Sequence, residues 1–372
     1  MNKKILINGI TLENANLVPV LSKAKYFQSQ NCQITFIGNS DLKAKIQQAN
    51  ILINYNFIEI PFNQKIKSHF DLIWQGLKRN IHTFKLIKKN INNFNIVYSC
   101  SSVLDLILFP YIFKKKNKNI KWVTILDNTV SFSFKPIKFL VWIFFKISLF
   151  CLKSADEIFV ISEELKKFLI RHKFKVDKIS VTGNAVESVL INQAVGNKYV
   201  YDGVFLGRLN QDKGIYDLLK ILKYVQPAYP NFKLVLIGEG DTQTVKKFKQ
   251  KIKILNLENN ICFLGTQTGL EKFKILKSSK VFIFPSYTES FGLSLLEAVC
   301  CGLPALTYDL PIYKNIYQNN EIYKFKSGNW KNLANKILEI IKSQDFDNQA
   351  GKLLLKKYAN WDKIAEIESL TF

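Results

Sequence analysis

Short runs of β-branched and aromatic residues alternate with longer segments of helical spacing along nearly the whole chain. In the first half the runs are KILINGI (4–10), QITFIGN (33–39), FIEIPF (57–62), NIVYSC (95–100), KWVTILD (121–127), EIFVIS (157–162) and KISVTGN (178–184), with helices expected between most of them, as at 13–30 and 68–92. Near-continuous apolar strands separated by helices indicate parallel strands buried on both faces. The rhythm restarts after a polar stretch, 187–199, expected to lack regular structure. It continues through YDGVFLG (201–207), KLVLIGEG (233–240), ICFLG (261–265), VFIFPS (281–286) and PALTYD (304–309). The expectation is an α/β chain of two Rossmann-like, doubly wound domains facing a cleft. They span 1–190 and 198–357, and a closing segment, 358–372, packs back on the first. Ligands of such sheets bind at the carboxyl ends of the strands.

One segment breaks the rhythm. PIKFLVWIFFKISLFCLK (136–153) is rich in Phe, Leu and Trp, but Lys138 and Lys146 interrupt it, and a spanning helix needs about 20 predominantly apolar residues. Two readings stay open: a helix buried between strands, or an amphipathic helix in a membrane interface with its lysines reaching the headgroups. The formal charge of +24 bears on that choice. Residues 1–150 carry 21 basic and 6 acidic side chains, against 32 and 23 in the remainder. A basic first portion attracts phospholipid headgroups, nucleic acid or an anionic substrate. Only three of the 53 basic residues are arginine (Arg79, Arg171, Arg208), a bias that an AT-rich genome also produces. No helix-turn-helix spacing, zinc-ligand pattern or RNA-binding aromatic motif favours nucleic acid. The six cysteines show no CxxC or Cys/His pairing and read as buried thiols in a reducing compartment. The apolar run after Lys3 and Lys4 is too short for a signal peptide, so the expected location is cytoplasmic.

Candidate chemistry gathers in the second half, at strand ends. GRLNQDKG (207–214) follows YDGVFL, where Gly207 lets a ligand approach the backbone. Arg208 and Lys213 stand before a helix expected near Ile215, as suits a diphosphate. The alternative for both is a solvated surface charge. GEGD (238–241) offers Gly238 and Glu239 at another strand end. In PSYTESFGLSLLEAVCCGLP (285–304), Glu289 sits in a loop, and a helix is expected to start around Phe291–Leu293 and to end at Gly302 before Pro304. The amides of Phe291, Gly292 and Leu293 would open that helix toward phosphate. Glu297 is the one charged residue within GLSLLEAVCCG, so it should be partly buried and need a donor. A ribose diol supplies two hydroxyl donors, and a structural lysine is the alternative. No His/Asp cluster offers a metal site, and the three histidines (His69, His82, His172) fall in helical or loop stretches.

Together the GRL…KG turn, the GEG turn and the E-x₇-E spacing from Glu289 to Glu297 resemble glycosyltransferase family 4, retaining, metal-independent enzymes of the GT-B fold. The likeness runs in register from about 150 to 345, through SADEIFVISE (154–163) and VTGNAVE (181–187). It implies that Arg208 and Lys213 bind the diphosphate of a UDP- or GDP-sugar. It also implies that Glu297 binds the ribose and that Glu289 meets a donor-sugar hydroxyl. No cofactor beyond the nucleotide sugar is implied. The acceptor would be a glycan or a lipid-linked glycan of bacterial surface polysaccharide synthesis, reached at the inner face of the cytoplasmic membrane. Two positions depart from the family. The turn NGITLEN has Gly9 alone where many members have Gly-Gly, and Leu126 stands where many have histidine. That leaves Asp127 as the acceptor-side catalytic candidate beside Glu289. The rival classes are a GT-B epimerase or hydrolase acting on the donor alone, and a non-catalytic basic module.

Overall fold

The structure is a computed structural model that describes residues 3–9, 14–61, 69–88, 91–130, 132, 134, 136–197, 200–318, 321–343 and 349–372. The chain forms two compact units, Met1–Asn184 with Trp361–Phe372, and Ala185–Asn360.

The first unit is built on strands β1 (Lys4–Asn8), β2 (Gln33–Gly38), β3 (Asn56–Glu59), β4 (Ile96–Ser99), β5 (Lys121–Leu126), β6 (Glu157–Val160) and β7 (Ile179–Val181). They pair in the order β3-β2-β1-β4-β5-β6-β7, every pair parallel. Successive strand side chains point to opposite faces, so each strand feeds two cores. Leu6, Ile37 and Trp122 join one cluster with Phe109, Leu149 and Leu169. Ile5, Ile7, Phe36 and Val123 join the other with Phe27, Ile46 and Ala365. This double burial is why the strands lack a polar alternate. Ala365 comes from the closing helix, Trp361–Ser369, which packs on the helix Asn14–Ser29. Beneath that contact Lys23 Nζ donates to Glu368 Oε1 at 2.9 Å and to the Tyr98 hydroxyl at 2.7 Å, and that hydroxyl donates to Glu368 Oε2 at 2.7 Å. The buried lysine and glutamate satisfy each other, as buried charges must.

The second unit carries β8 (Tyr201–Leu206), β9 (Leu234–Ile237), β10 (Ile261–Gly265), β11 (Ser279–Phe284), β12 (Ala305–Tyr308) and β13 (Tyr323–Phe325), paired in parallel in the order β10-β9-β8-β11-β12-β13. Each unit is thus a doubly wound α/β sheet, as the sequence predicts. In the second the strand order reverses between β8 and β11, which opens a crevice at their carboxyl ends.

Three expectations need correction. Residues 187–199 are not without regular structure: Ser188–Gln193 is helical, and 198–199 lie outside the described residues. Six residues are too few to display a helical period. Strand β13 (YKF) was not anticipated, because three residues with a central lysine on a sheet edge carry no apolar run. Only Cys100, Cys151 and Cys300 are buried, while Cys32, Cys262 and Cys301 are half-exposed and all six are free thiols. Of the NGITLEN turn, residues 10–13 lie outside the described residues. The segment 136–153 folds as a helix, Pro136–Leu152. Among the described residues no helix is long and apolar enough to cross a membrane.

Candidate active site

The predicted donor-side residues sit around the β8/β11 reversal. After β8 the chain passes Gly207 and Arg208 into a 3-10 turn, Gln211–Lys213, in which the Asn210 side chain accepts from the Lys213 amide at 3.0 Å. Gly214 then starts the helix Ile215–Val225 with φ of +74°. A Cβ there would lie 1.9 Å from the Pro285 carbonyl oxygen, so only glycine lets this turn press against the end of β11. The loop after β11 is tied to the same turn, the Tyr287 amide donating to the Asp212 carbonyl at 2.9 Å. The third loop joins through the Leu209 amide, which donates to the Glu239 carbonyl at 2.8 Å. Gly238 has φ of +130° and packs against Gly207, whose carbonyl oxygen would stand 2.1 Å from a Cβ at 238. The three glycine turns picked from the sequence therefore form one backbone assembly.

Lys213 and Glu289 meet within this assembly. Lys213 Nζ donates to Glu289 Oε1, which also accepts from Ser286 Oγ at 2.9 Å. Both side chains are largely buried, so each neutralises the other. Lys213 is therefore no solvated surface charge. Arg208 is exposed, and among the described residues it makes no ion pair. Glu239 is exposed as well. The helix expected at Phe291–Leu293 begins at Leu293, with Gly292 as a left-handed N-cap (φ +83°) and Phe291 buried ahead of it against Tyr358. Of the three amides assigned to the helix start, only that of Leu293 belongs to the helix. Its end is as expected: Gly302 (φ +98°) donates to the Val299 carbonyl at 3.0 Å and Leu303 to that of Ala298 at 3.1 Å, a Schellman closure.

Glu297 is 6% exposed, as its apolar surroundings predict, and its partner is a lysine. Lys272, on the helix Gly269–Lys277, donates to Glu297 Oε1 at 2.7 Å and stands 3.7 Å from Glu187 Oε2. Burial works against the Lys272 ammonium, but the carboxylates of Glu297 and Glu187 outweigh it and hold its pKa above the ordinary value. Burial, helped by the neighbouring Glu297, raises the pKa of Glu187 despite the attraction of Lys272. Sequence reasoning missed Lys272, one lysine among fifty with no motif around it.

It also missed Asp217. This carboxylate is buried one turn into the helix after Gly214, accepts from the hydroxyls of Tyr287 and Tyr308, the latter at 2.7 Å, and takes a bond from Lys220 Nζ at 2.8 Å. It fastens the loop that carries Glu289 to β12 and to the Ile215–Val225 helix. Burial alone would raise its pKa, yet the bonds from Lys220, Tyr287 and Tyr308 prevail and hold it below the usual carboxylate value. A shallow depression beside it is lined by Gln211, Asp212, Tyr216, Lys220 and Tyr287.

Asp127 belongs to the first unit. It follows β5, half-buried, with Ser101 Oγ donating to its Oδ1 at 3.4 Å. The neighbouring Leu126 is fully buried, as suits a leucine at the end of a strand. His172 ends the helix Glu163–Arg171 with its ring Nδ1 2.9 Å from the Phe168 carbonyl oxygen. Among the described residues no three His, Cys, Asp or Glu side chains gather as a metal site.

With this geometry the comparison with known proteins is direct. Residues 196–357 match the family described as glycosyl transferases group 1. The second unit is thus similar to the group 1 glycosyltransferases. The match extends beyond that unit in several relatives. The chain is 30% identical over 284 residues to an uncharacterized glycosyltransferase of Methanocaldococcus jannaschii, covering 72% of this chain and 66% of that protein. It is 26% identical over 251 residues to the capsular polysaccharide biosynthesis glycosyltransferase CapM of Staphylococcus aureus, covering 62% and 64%. These two matches therefore span just under two thirds of each relative's length. A third relative is the UDP-Gal:alpha-D-GlcNAc-diphosphoundecaprenol alpha-1,3-galactosyltransferase of Escherichia coli, 24% identical over 337 residues, covering 85% and 82%. Among solved structures, Anabaena HepE in complex with UDP-glucose superposes with a TM-score of 0.76 at 16% identity, covering 99% of both chains. The two units thus have the GT-B fold.

Proposed function

We propose that this chain is a retaining glycosyltransferase that moves a sugar from a nucleotide sugar to a glycan or lipid-linked acceptor in surface polysaccharide synthesis. One observation carries the reading: Lys213, Arg208, Glu289 and Glu297 all lie on elements that begin at the β8/β11 reversal of the second unit. A nucleoside diphosphate needs cations for its leaving charge. Arg208 is exposed and ready for it, and Lys213 is already fixed beside the sugar-facing carboxylate of Glu289. Glu297 accepts from the ribose diol through the carboxylate oxygen that Lys272 does not occupy. The E. coli relative uses UDP-Gal and HepE was solved with UDP-glucose, which makes a UDP-sugar the first donor to try. In the retaining step the acceptor hydroxyl attacks the anomeric carbon from the face that the diphosphate leaves. The acceptor O–C bond forms as the C–O bond to phosphate breaks, and the hydroxyl proton passes to the departing phosphate. Asp127 serves the acceptor side, and no metal takes part.

Calorimetric titration with UDP-glucose, UDP-galactose and GDP-mannose tests the donor site. One of them binds, and Arg208→Ala and Glu297→Gln each weaken it about tenfold or more, the effect of losing a charged hydrogen bond worth roughly 1.5–3 kcal/mol. Unchanged affinity in both folded variants removes the assignment. Donor turnover that yields only free sugar or an epimer when acceptor is present replaces transfer with hydrolysis or epimerisation.

A further inference from the structure

The helix Pro136–Leu152 of the first unit buries one face and leaves the other bare. Phe145, Ser148, Leu149 and Leu152, at spacings of three and four, point into the core. On the opposite face Phe139 is 40% exposed, Ile147 41% and Phe150 65%, with Trp142 half-buried between them. Phe132 and Phe134, just before the helix, are 49% and 89% exposed. The aromatic rings gather: Phe132 lies 5.2 Å from Trp142 and 4.8 Å from Phe134, and Phe139 stacks on Trp142 at 6.0 Å. A scattered exposed apolar residue is ordinary, but a contiguous aromatic stripe marks a surface that meets something.

The charges around the stripe identify the partner. Lys146 Nζ sits 5.3 Å over the Trp142 ring and 3.5 Å from His172, whose sequence neighbours Arg171 and Lys173 are exposed. At the other end Phe150 meets Tyr111, 6.3 Å away, and Lys115 Nζ lies 5.7 Å over that ring. Tyr111 and Lys115 come from the helix Leu104–Lys116, which packs alongside and carries the exposed Lys115 and Lys116 in its last turn. Residues 106–155 contain nine lysines and a single acidic residue, Asp127. A second protein surface would need acidic groups set among its apolar ones. A bilayer with anionic headgroups supplies both layers at once, hydrocarbon for the rings and phosphate for the lysines.

We propose that the Phe139–Trp142–Phe150 face, with its lysine rim, docks on an anionic lipid bilayer. The rings enter the headgroup layer while Lys115, Lys116 and Lys146 pair with lipid phosphates. This docking is independent of donor chemistry, since it is read without turnover, and its failure leaves the proposed reaction standing.

Co-sedimentation of the full chain with vesicles of phosphatidylglycerol and phosphatidylcholine, against phosphatidylcholine alone, decides the point. The protein pellets with the anionic vesicles only, and raising salt from 50 to 300 mM weakens binding tenfold or more. Phe150→Glu and the double variant Lys115→Glu/Lys116→Glu each weaken it at least tenfold with an unchanged melting temperature. Ile254→Glu, at a still more exposed apolar position in the other unit, has no effect. Protein that stays in the supernatant with anionic vesicles at low salt overturns the proposal. So does a dimer, seen by sedimentation velocity, that Phe150→Glu dissociates while vesicle binding stays unchanged, because the face then belongs to a second copy.

Discussion

Replacing Lys272 with methionine removes the only cation between the buried Glu297 and the half-buried Glu187 among the described residues, and its consequences follow from the geometry. Lys272 Nζ stands 2.7 Å from Glu297 Oε1 and 3.7 Å from Glu187 Oε2. At an effective dielectric constant of ~20 those separations correspond to attractions of about 6 and about 4 kcal/mol, much of which the desolvation of three charged groups offsets. Methionine keeps the volume but leaves Glu297 and Glu187 facing each other without a counter-charge. Truncating one partner of a buried pair costs about 3–5 kcal/mol, on the order of 10 °C in the transition of a unit of this size. The deficit depends on pH in a stated direction. Glu187 already titrates above its ordinary value, from burial first and from Glu297 second. Without Lys272 the Glu187 carboxyl loses its lowering charge and rises further, so the folded form takes up a proton before the unfolded chain does, and acidification stabilises the variant through that window. Lys272 itself stays fully charged over the same range, because its folded pKa is raised, so the parent protein keeps the benefit of its pairing. Differential scanning calorimetry at pH 7.5 and pH 5 reads the result: a large deficit at pH 7.5 that narrows at pH 5, and partial recovery at pH 7.5 in Lys272→Met/Glu187→Gln. A deficit equal at both pH values, or none at all, refutes the electrostatic account of this triad.

Asp217→Ala leaves the hydroxyls of Tyr287 and Tyr308 without their acceptor and should destabilise the second unit by about 2–4 kcal/mol in urea unfolding. Because the Asp217 pKa is depressed, its contribution is present above the ordinary carboxylate value of about 3.9 and lost as pH falls through the lowered one, so parent and variant converge only in acid. Convergence near neutral pH would contradict this. In the proposed reaction Arg208 and Lys213 supply the positive charge, so transfer activity assayed with excess EDTA should equal that without it. Loss on chelation, restored by Mn²⁺ or Mg²⁺, would overturn the metal-free mechanism.

Much of the fold was legible because its strands are buried on both faces. KILIN, KWVTIL, LVLI and SKVFIF announce themselves as unbroken apolar runs, and the strand-ending turns that follow several of them are marked by glycine or proline. The edge strand Tyr323–Phe325 and the short helix Ser188–Gln193 were not legible, since neither holds enough residues to establish a period. In the candidate site, Glu297 could be read as buried from its own helix, because burial follows from the apolar residues beside it. The identity of its partner could not. Lys272 lies 25 positions away on another helix, and nothing local separates it from the other lysines. The same holds for Asp217, an ordinary acidic residue in the first turn of a helix until Tyr287 and Tyr308, 70 and 91 positions distant, close over it.

The sequence by itself determined where the candidate groups stand: glycines at strand ends, two cations before a helix, and two glutamates eight positions apart. These are local signals, carried by backbone conformation and helical spacing within a dozen residues. Only the tertiary structure decided how those groups are occupied. It set Glu289 on Lys213, set Glu297 on Lys272, and brought KKK at 114–116 alongside the Phe139–Phe150 stripe. Charge pairing and surface continuity depend on distances between segments far apart in the chain, and those distances exist only once the sheets have formed.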